Sequence, residues 1–237
     1  MQVKEWVAEI INPIRTLSNL DLLLDMQDVT TSHQKSLIRL SFPYFVSEGD
    51  IRYSKLAFGA IEEYMEFLRN RLYSALLFDG SFLQISMDVH KAKIIRYRYG
   101  YYPCPIKFVG NELSIMTMEE SIADIIDTFI SGQRKDILLR TPVRFDFDSN
   151  EWKPDEPHAH VHFNHPECRC ALSAPIYPSY FIKFIMKYFY PDLWYRHQEL
   201  ELLDQEIAGY WLRNDEKNFL HLTAKNIMNG DAVRLLS

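Results

Sequence analysis

The densest run of reactive side chains is Pro157-His158-Ala159-His160-Val161-His162-Phe163-Asn164-His165, which holds four of the chain's eight histidines. Imidazole titrates nearest neutral pH, so it can act as general acid or base, nucleophile or metal ligand. Alternate residues of a strand share a face. His158, His160 and His162 are therefore expected on one side, with Ala159, Val161 and Phe163 turned toward a core. The same rule applied to Thr141–Asp148 sets Arg144, Asp146 and Asp148 opposite Val143, Phe145 and Phe147. In Cys168–Leu172 it sets Arg169 and Ala171 opposite Cys168, Cys170 and Leu172. Neighbouring strands lie about 4.8 Å apart. Three such strands side by side would gather Arg144, Asp146, His160, His162 and Arg169 on one surface.

That surface supports several chemistries. Arg144 and Arg169 suit a phosphate or carboxylate. Asp146 can fix the tautomer of a neighbouring imidazole, so that His160 or His162 acts as base or nucleophile. A metal, zinc or manganese, would take His160, His162 and Asp146, because three same-face histidines of one flat strand stand too far apart to share an ion. The absence of a cofactor is the leading expectation. A hydrogen-bonded network that orders the sheet, or a plain wet face, is the structural alternative. The His-x-His-x-His spacing is also similar to that of histidine-triad nucleotide hydrolases, where the middle histidine, here His160, attacks phosphorus. The chain departs from that pattern in its missing polar lead-in and in the long helical region that follows.

A second feature is Arg96-Tyr97-Arg98-Tyr99-Gly100-Tyr101-Tyr102. Alternation puts Arg96 and Arg98 on one face and Ile95, Tyr97 and Tyr99 on the other. Basic residues interleaved with aromatics can bind single-stranded nucleic acid locally by stacking and charge. The favoured reading is an amphipathic strand with its tyrosines in the core. There is no Gly-rich phosphate loop, Gly-x-Ser-x-Gly elbow or His-Glu-x-x-His helix.

The elements that position these residues follow from periodicity. Residues 2–27 read as helical on Trp6, Ile10, Ile11, Ile14 and Leu17, with a break or kink at Pro13 and a continuation through Leu20–Leu24. Residues 34–46 fit a strand ending near Pro43. Residues 55–77 form the strongest helical pattern, with Glu62, Glu63, Glu66 and Arg69 on its solvated side. Phe82–Val89 and Lys93–Tyr99 read as a hairpin that ends at the Tyr101-Tyr102-Pro103-Cys104-Pro105 run. Asn111–Met116 fits a strand and 119–131 a short helix. After the β-rich block 141–173, Pro178 opens a helix that Pro191 stops, and 197–212 reads as another. The expected fold is α+β: a mainly antiparallel sheet flanked by helices in one domain over 1–237. It divides into a helical part over 1–77, a β-rich core over 78–173 and a helical part over 174–237.

A chain of 237 residues buries enough surface to fold without a metal or disulfide. Its net charge of −6 argues against a broad nucleic-acid surface. Three cysteines cannot all pair, which suggests a reducing compartment. No apolar run reaches about 18 residues, so no membrane-crossing helix is expected. The N-terminus has no apolar stretch of the secretory kind. A soluble, cytoplasmic protein is expected.

Several motifs occur in one order: Asp79-Gly80-Ser81, Tyr102-Pro103-Cys104-Pro105, Arg144-Phe145-Asp146, His160-Val161-His162 and Cys168-Arg169, followed by a helix that ends in Phe189-Tyr190. Over about 60–190 the chain resembles a bacterial family carried as a domain of unknown function, some members of which occur near phage-defence or mobile-element genes. The resemblance assigns Asp79, Arg144, Asp146, His160, His162 and Arg169 as the family's polar residues, with His158 and His165 as local additions. It carries no activity and implies only a role in antiviral defence. The leading expectation is an accessory, sensor-like interaction protein with a partner from the same operon, whose His/Asp/Arg pocket binds an anionic ligand or partner. The alternative is a phosphoester or nucleotide hydrolase, with or without a metal, using the same residues.

Overall fold

The structure is a computed structural model that describes residues 3–34, 37–41, 58–91, 93–106, 117–131, 138–149, 157–163, 165, 167–201, 203 and 221–222. Its centre is a sheet built by the alternation noted above. Strands β1 (Leu23–Met26), β2 (Thr30–Gln34), β3 (Leu37–Ser41), β4 (Ala75–Leu77), β5 (Phe82–His90), β6 (Lys93–Tyr102), β7 (Val143–Asp148), β8 (Ala159–Phe163), β9 (Cys170–Leu172) and β10 (His221–Leu222) form one sheet. The main path runs β1-β4-β5-β6-β7-β8-β9-β10, while β3 pairs with the far half of β5 and carries β2. All pairings are antiparallel except β9 with β10.

Register fixes which residues share a face. Met87, Tyr97, Phe147 and Ala159 stand across from one another through β5 to β8, as do Ile85, Tyr99, Phe145 and Val161. This face is apolar and packs against helices α1 (Val3–Asn19) and α4 (Pro178–Phe189). Tyr97 and Tyr99 stack at 4.3 Å between ring centroids inside this core, so neither ring is available to a base. The opposite face carries Asp88, Arg96 and Asp148 in one row and Ser86, Arg98, Asp146 and His160 in the next. A bulge between Asp88 and Val89 shifts the phase, so that Ile94 rather than the expected Ile95 enters the core.

One end of the polar face is closed by a second apolar cluster. Helix α2 (Ile61–Arg69) and helix α3 (Met118–Ser131) cover Phe82 and Tyr102, with Phe58, Phe67, Leu68 and Ile125 between. Gly100 lies beside this closure, and a Cβ there would sit 2.8 Å from the Tyr102 ring. A side chain at that position would displace the ring that seals the end of the face.

The mixed helical and antiparallel composition agrees with the sequence reading, but the helical region expected over 1–77 contains four strands. Helix α1 runs through Pro13 without breaking. Proline costs a helix interior about 3 kcal/mol, whereas each fully buried Ile or Leu contributes about 1.5–3 kcal/mol, and Ile10, Ile14 and Leu17 are all fully buried. The helix ends at Asn19, and 23–26 is strand rather than a continued helix. The helix expected over 55–77 stops at Arg69, and 75–77 is β4. The chain ends both helices in the same way. Asp21 (φ 56°) and Arg71 (φ 53°) are left-handed, while the amides of Leu22 and Leu72 reach back to the carbonyls of Leu17 and Phe67. These are Schellman stops made without glycine.

Helix α4 stops at Phe189, just before Pro191, as expected. Pro191 opens α5 (Pro191–Arg196), followed by a short 3-10 turn over Gln198–Leu200 in place of the start of the expected helix 197–212. The strand expected over 111–116, residues 42–46 and 55–57, and 204–212 lie outside the described residues. No helix among the described residues is long and apolar enough to cross a membrane.

Candidate functional site

Apolar alternation in β7 and β8 does more than bury Phe145 and Val161. It drives Arg144, Asp146, His160 and His162 onto the opposite face at fixed register, with Arg144 across from His162 and Asp146 across from His160. β6 adds Arg98 directly across from Asp146. Where α2 and α3 do not cover this face, it forms a cleft of about 280 Å³. All five site residues expected from the sequence, Arg144, Asp146, His160, His162 and Arg169, line it.

Asp146 is the hub. Its Oδ1 accepts from Arg98 Nε at 3.1 Å and its Oδ2 from Arg144 Nε at 2.8 Å. His162 Nε2 lies 3.3 Å from the same Oδ2. Burial alone would raise this carboxyl's pKa. Arg98, the His162 contact and Arg144 outweigh burial and hold it well below the usual carboxylate range. Asp146 is therefore an anion at any ordinary pH.

The two histidines differ. His160 Nδ1 lies 2.7 Å from the Pro157 carbonyl. A carbonyl only accepts, so Nδ1 carries the hydrogen and Nε2 keeps a lone pair. Burial pushes His160 down to about 4, against the pull of Pro157 and Asp146. His162 is only 1% exposed, and its Nδ1 finds no hydrogen-bond partner among the described residues. Its ring packs edge-on against Phe58 at 6.1 Å and against His160 at 4.7 Å. One ligand atom each from Asp146, His160 and His162 lie within 4.8 Å of one another, so these three residues could hold a metal ion.

Arg169 lines the cleft, with its Nη1 3.2 Å from Glu167 Oε2. His158 also lines the cleft, as expected from its phase. His165 does not: it is exposed and its Nδ1 accepts from the Glu167 amide. Asp79 sits elsewhere, in the turn between β4 and β5, where its carboxylate takes the Ser81 amide and the Tyr190 hydroxyl, with Arg140 at 3.5 Å.

Arg39, Asp88, Phe58 and Glu63 escaped the sequence reading of the site. Arg39 and Arg96 clamp Asp88 at the far end of the same cleft, Arg39 through two bonds of 2.8 and 3.0 Å. Phe58 lies under the Arg144 guanidinium at 4.6 Å. Glu63, expected on the solvated side of its helix, is 6% exposed. Burial raises its carboxyl to about 7, against the lowering by the Gly59 amide and by Arg144 and Arg98. Arg98 and Arg96 had the right phase in the sequence. The missing information was which strand lies next to theirs.

The cleft has a charge of its own. Five arginines (39, 96, 98, 144, 169) line it against three aspartates (88, 146, 148). This basic excess stands within a chain of net charge −6. At the Arg39 end the charges are closely paired with one another. At the histidine end, Arg144 gives Asp146 only its Nε.

A family model described as "Uncharacterized conserved protein (DUF2290)" matches residues 23–224. No curated protein and no solved structure matches.

Proposed function

This chain belongs to the uncharacterized conserved family DUF2290, and from the site itself we propose that it binds a small phosphoryl-bearing anion in the cleft between β6 and β9. The observation that supports this most is the arginine excess around an imidazole pair, in a molecule that is otherwise acidic. Arginine forks bind phosphate oxygens in two-point fashion. The carboxylate of Asp146 aims two of them, while His160 offers a neutral ring at the rim. A binding cleft of this kind suits a cytoplasmic accessory or sensor-like protein, and antiviral defence in a bacterium is the setting we propose for it.

The test is equilibrium binding of inorganic phosphate and pyrophosphate to protein stripped of metal. A charge-assisted hydrogen bond contributes about 1.5–3 kcal/mol. Arg98→Ala and Arg169→Ala should therefore each weaken pyrophosphate binding by about ten-fold or more, with normal folding. Absence of binding at millimolar ligand, or variants that bind like wild type, would end the proposal.

Hydrolysis of a phosphoester is the second reading. It is favoured by the His160 ring, whose proton is fixed on Nδ1 so that Nε2 can accept one. Turnover of a generic nitrophenyl phosphodiester, lost in His160→Ala, would support it. An inactive wild type that still binds pyrophosphate leaves the binding role alone.

A further inference from the structure

Asp146, His160 and His162 occupy one corner of the cleft floor, and their chemistry is that of a divalent metal centre. We propose that Asp146 Oδ2, His162 Nε2 and His160 Nε2 hold one first-row divalent transition-metal ion, which presents its open positions to the anion in the cleft. The proposal deepens the anion-binding reading but rests on separate observations.

The first observation is distance. Ligands of one such ion stand about 3.0–3.4 Å apart when metal–ligand bonds are about 2.0–2.2 Å. The His162 Nε2 to Asp146 Oδ2 separation is 3.3 Å, and Asp146, His160 and His162 each offer one ligand atom within 4.8 Å of those of the other two. His160 is the half-buried member at the rim.

The second is the support behind the ligands. His160 donates Nδ1–H to the Pro157 carbonyl, the bond that fixes a ligating histidine with its other nitrogen toward the ion. Asp146 accepts one bond on each oxygen from Arg98 and Arg144. A carboxylate has about four acceptor positions, so beyond its bond to Arg144, Oδ2 offers an ion the lone pair that faces His162 Nε2.

The third is the orphaned nitrogen. His162 is buried with Nδ1 unpartnered. A purely structural histidine at this depth would be bonded at both nitrogens. Facing the Asp146 carboxylate, Nε2 carries the ring proton in the metal-free protein. As an ion binds, that proton can pass through water to the unpartnered Nδ1, which frees the Nε2 lone pair with no net change of charge. Two nitrogens and one carboxylate oxygen with open positions suit manganese, iron or zinc rather than magnesium or calcium.

The experiment is titration of stripped, untagged protein with Co²⁺, followed by visible absorption and by competition with Zn²⁺ and Mn²⁺. One equivalent should bind and give a ligand-field spectrum with nitrogen ligation. His160→Ala should weaken binding by about 10–100-fold and change the spectrum, while His165→Ala should leave both as in wild type. Asp146→Asn is the second ligand variant. If it fails to fold, His160→Ala alone decides. No saturable binding below millimolar Co²⁺, or equal binding by wild type and His160→Ala, would overturn the proposal. Phosphate binding by the stripped protein is measured separately, so either claim can fail while the other stands.

Discussion

His162 and Asp146 meet at 3.3 Å, Nε2 to Oδ2, across adjacent strands, while the other nitrogen of the same buried ring has no partner among the described residues. The pair is thus satisfied on one side only. Its carboxylate is held ionised by two guanidinium groups. A fully bonded network would rigidify the sheet and do nothing else. An incompletely bonded one, at the floor of an arginine-lined cleft, has capacity for a ligand.

His160 should stay neutral in mildly acidic solution. Burial lowers it from the ordinary 6.5 to about 4. Between these values the unfolded chain binds a proton that the native chain does not, so stability falls as pH drops from 6.5 toward 4. Imidazole NMR of the folded protein at pH 5.5 should show His160 unprotonated. A titration midpoint above 6 for this ring would contradict the geometry that buries it.

Glu63 predicts a dependence of the opposite sense. Its carboxyl is raised from 4.5 to about 7, so the native state holds a proton that the unfolded chain has released. The Glu63 contribution to stability is then fully present below pH 4.5 and is lost as pH rises to 7. Each pH unit of this kind is worth about 1.4 kcal/mol, which makes the full loss on the order of 3 kcal/mol. Glu63→Gln keeps an acceptor for the Gly59 amide and removes the charge. It should melt several degrees above wild type at pH 8 and close to it at pH 4.5. Equal melting at both pH values would show that the carboxyl is not buried as described.

Asp88 anchors the other end of the cleft. Arg39 and Asp88 are both nearly fully buried, and Arg96 joins them at 2.8 Å. Burial opposes the charge on Asp88, yet its two arginines hold the carboxyl low. Asp88→Ala leaves the Arg39 charge uncompensated, which costs about 3–5 kcal/mol. Thermal unfolding should shift down by roughly 6–20 °C, at about 2–4 °C per kcal/mol for a chain of this size. A shift under 2 °C would mean the ion pair is not the anchor.

The polar face was legible in the sequence because strict alternation in Val143–Asp148 and Ala159–Phe163 leaves few alternatives. Both strands pack one face on the core, and a slip of one residue would bury Arg144 and Asp146 there. Strand neighbours were less legible. Arg98 was read as half of a basic-aromatic stripe because nothing local shows that it faces Asp146, 48 positions away. Helix ends were hidden for another reason. The usual stop signal is glycine, and here Asp21 and Arg71 take the left-handed position. Glu63 was misplaced because an acidic residue on a helix normally faces water, whereas Phe58 and Tyr102 close over this end of the sheet.

The most direct test of the binding cleft is histidine NMR of stripped protein at fixed pH during addition of inorganic phosphate. His160 and His162 should shift saturably, along with the Nε signals of Arg98 and Arg144, while His33, His90 and His197 stay in place. If phosphate leaves the His160 and His162 signals unmoved, or moves all the histidines alike, the cleft is not the site.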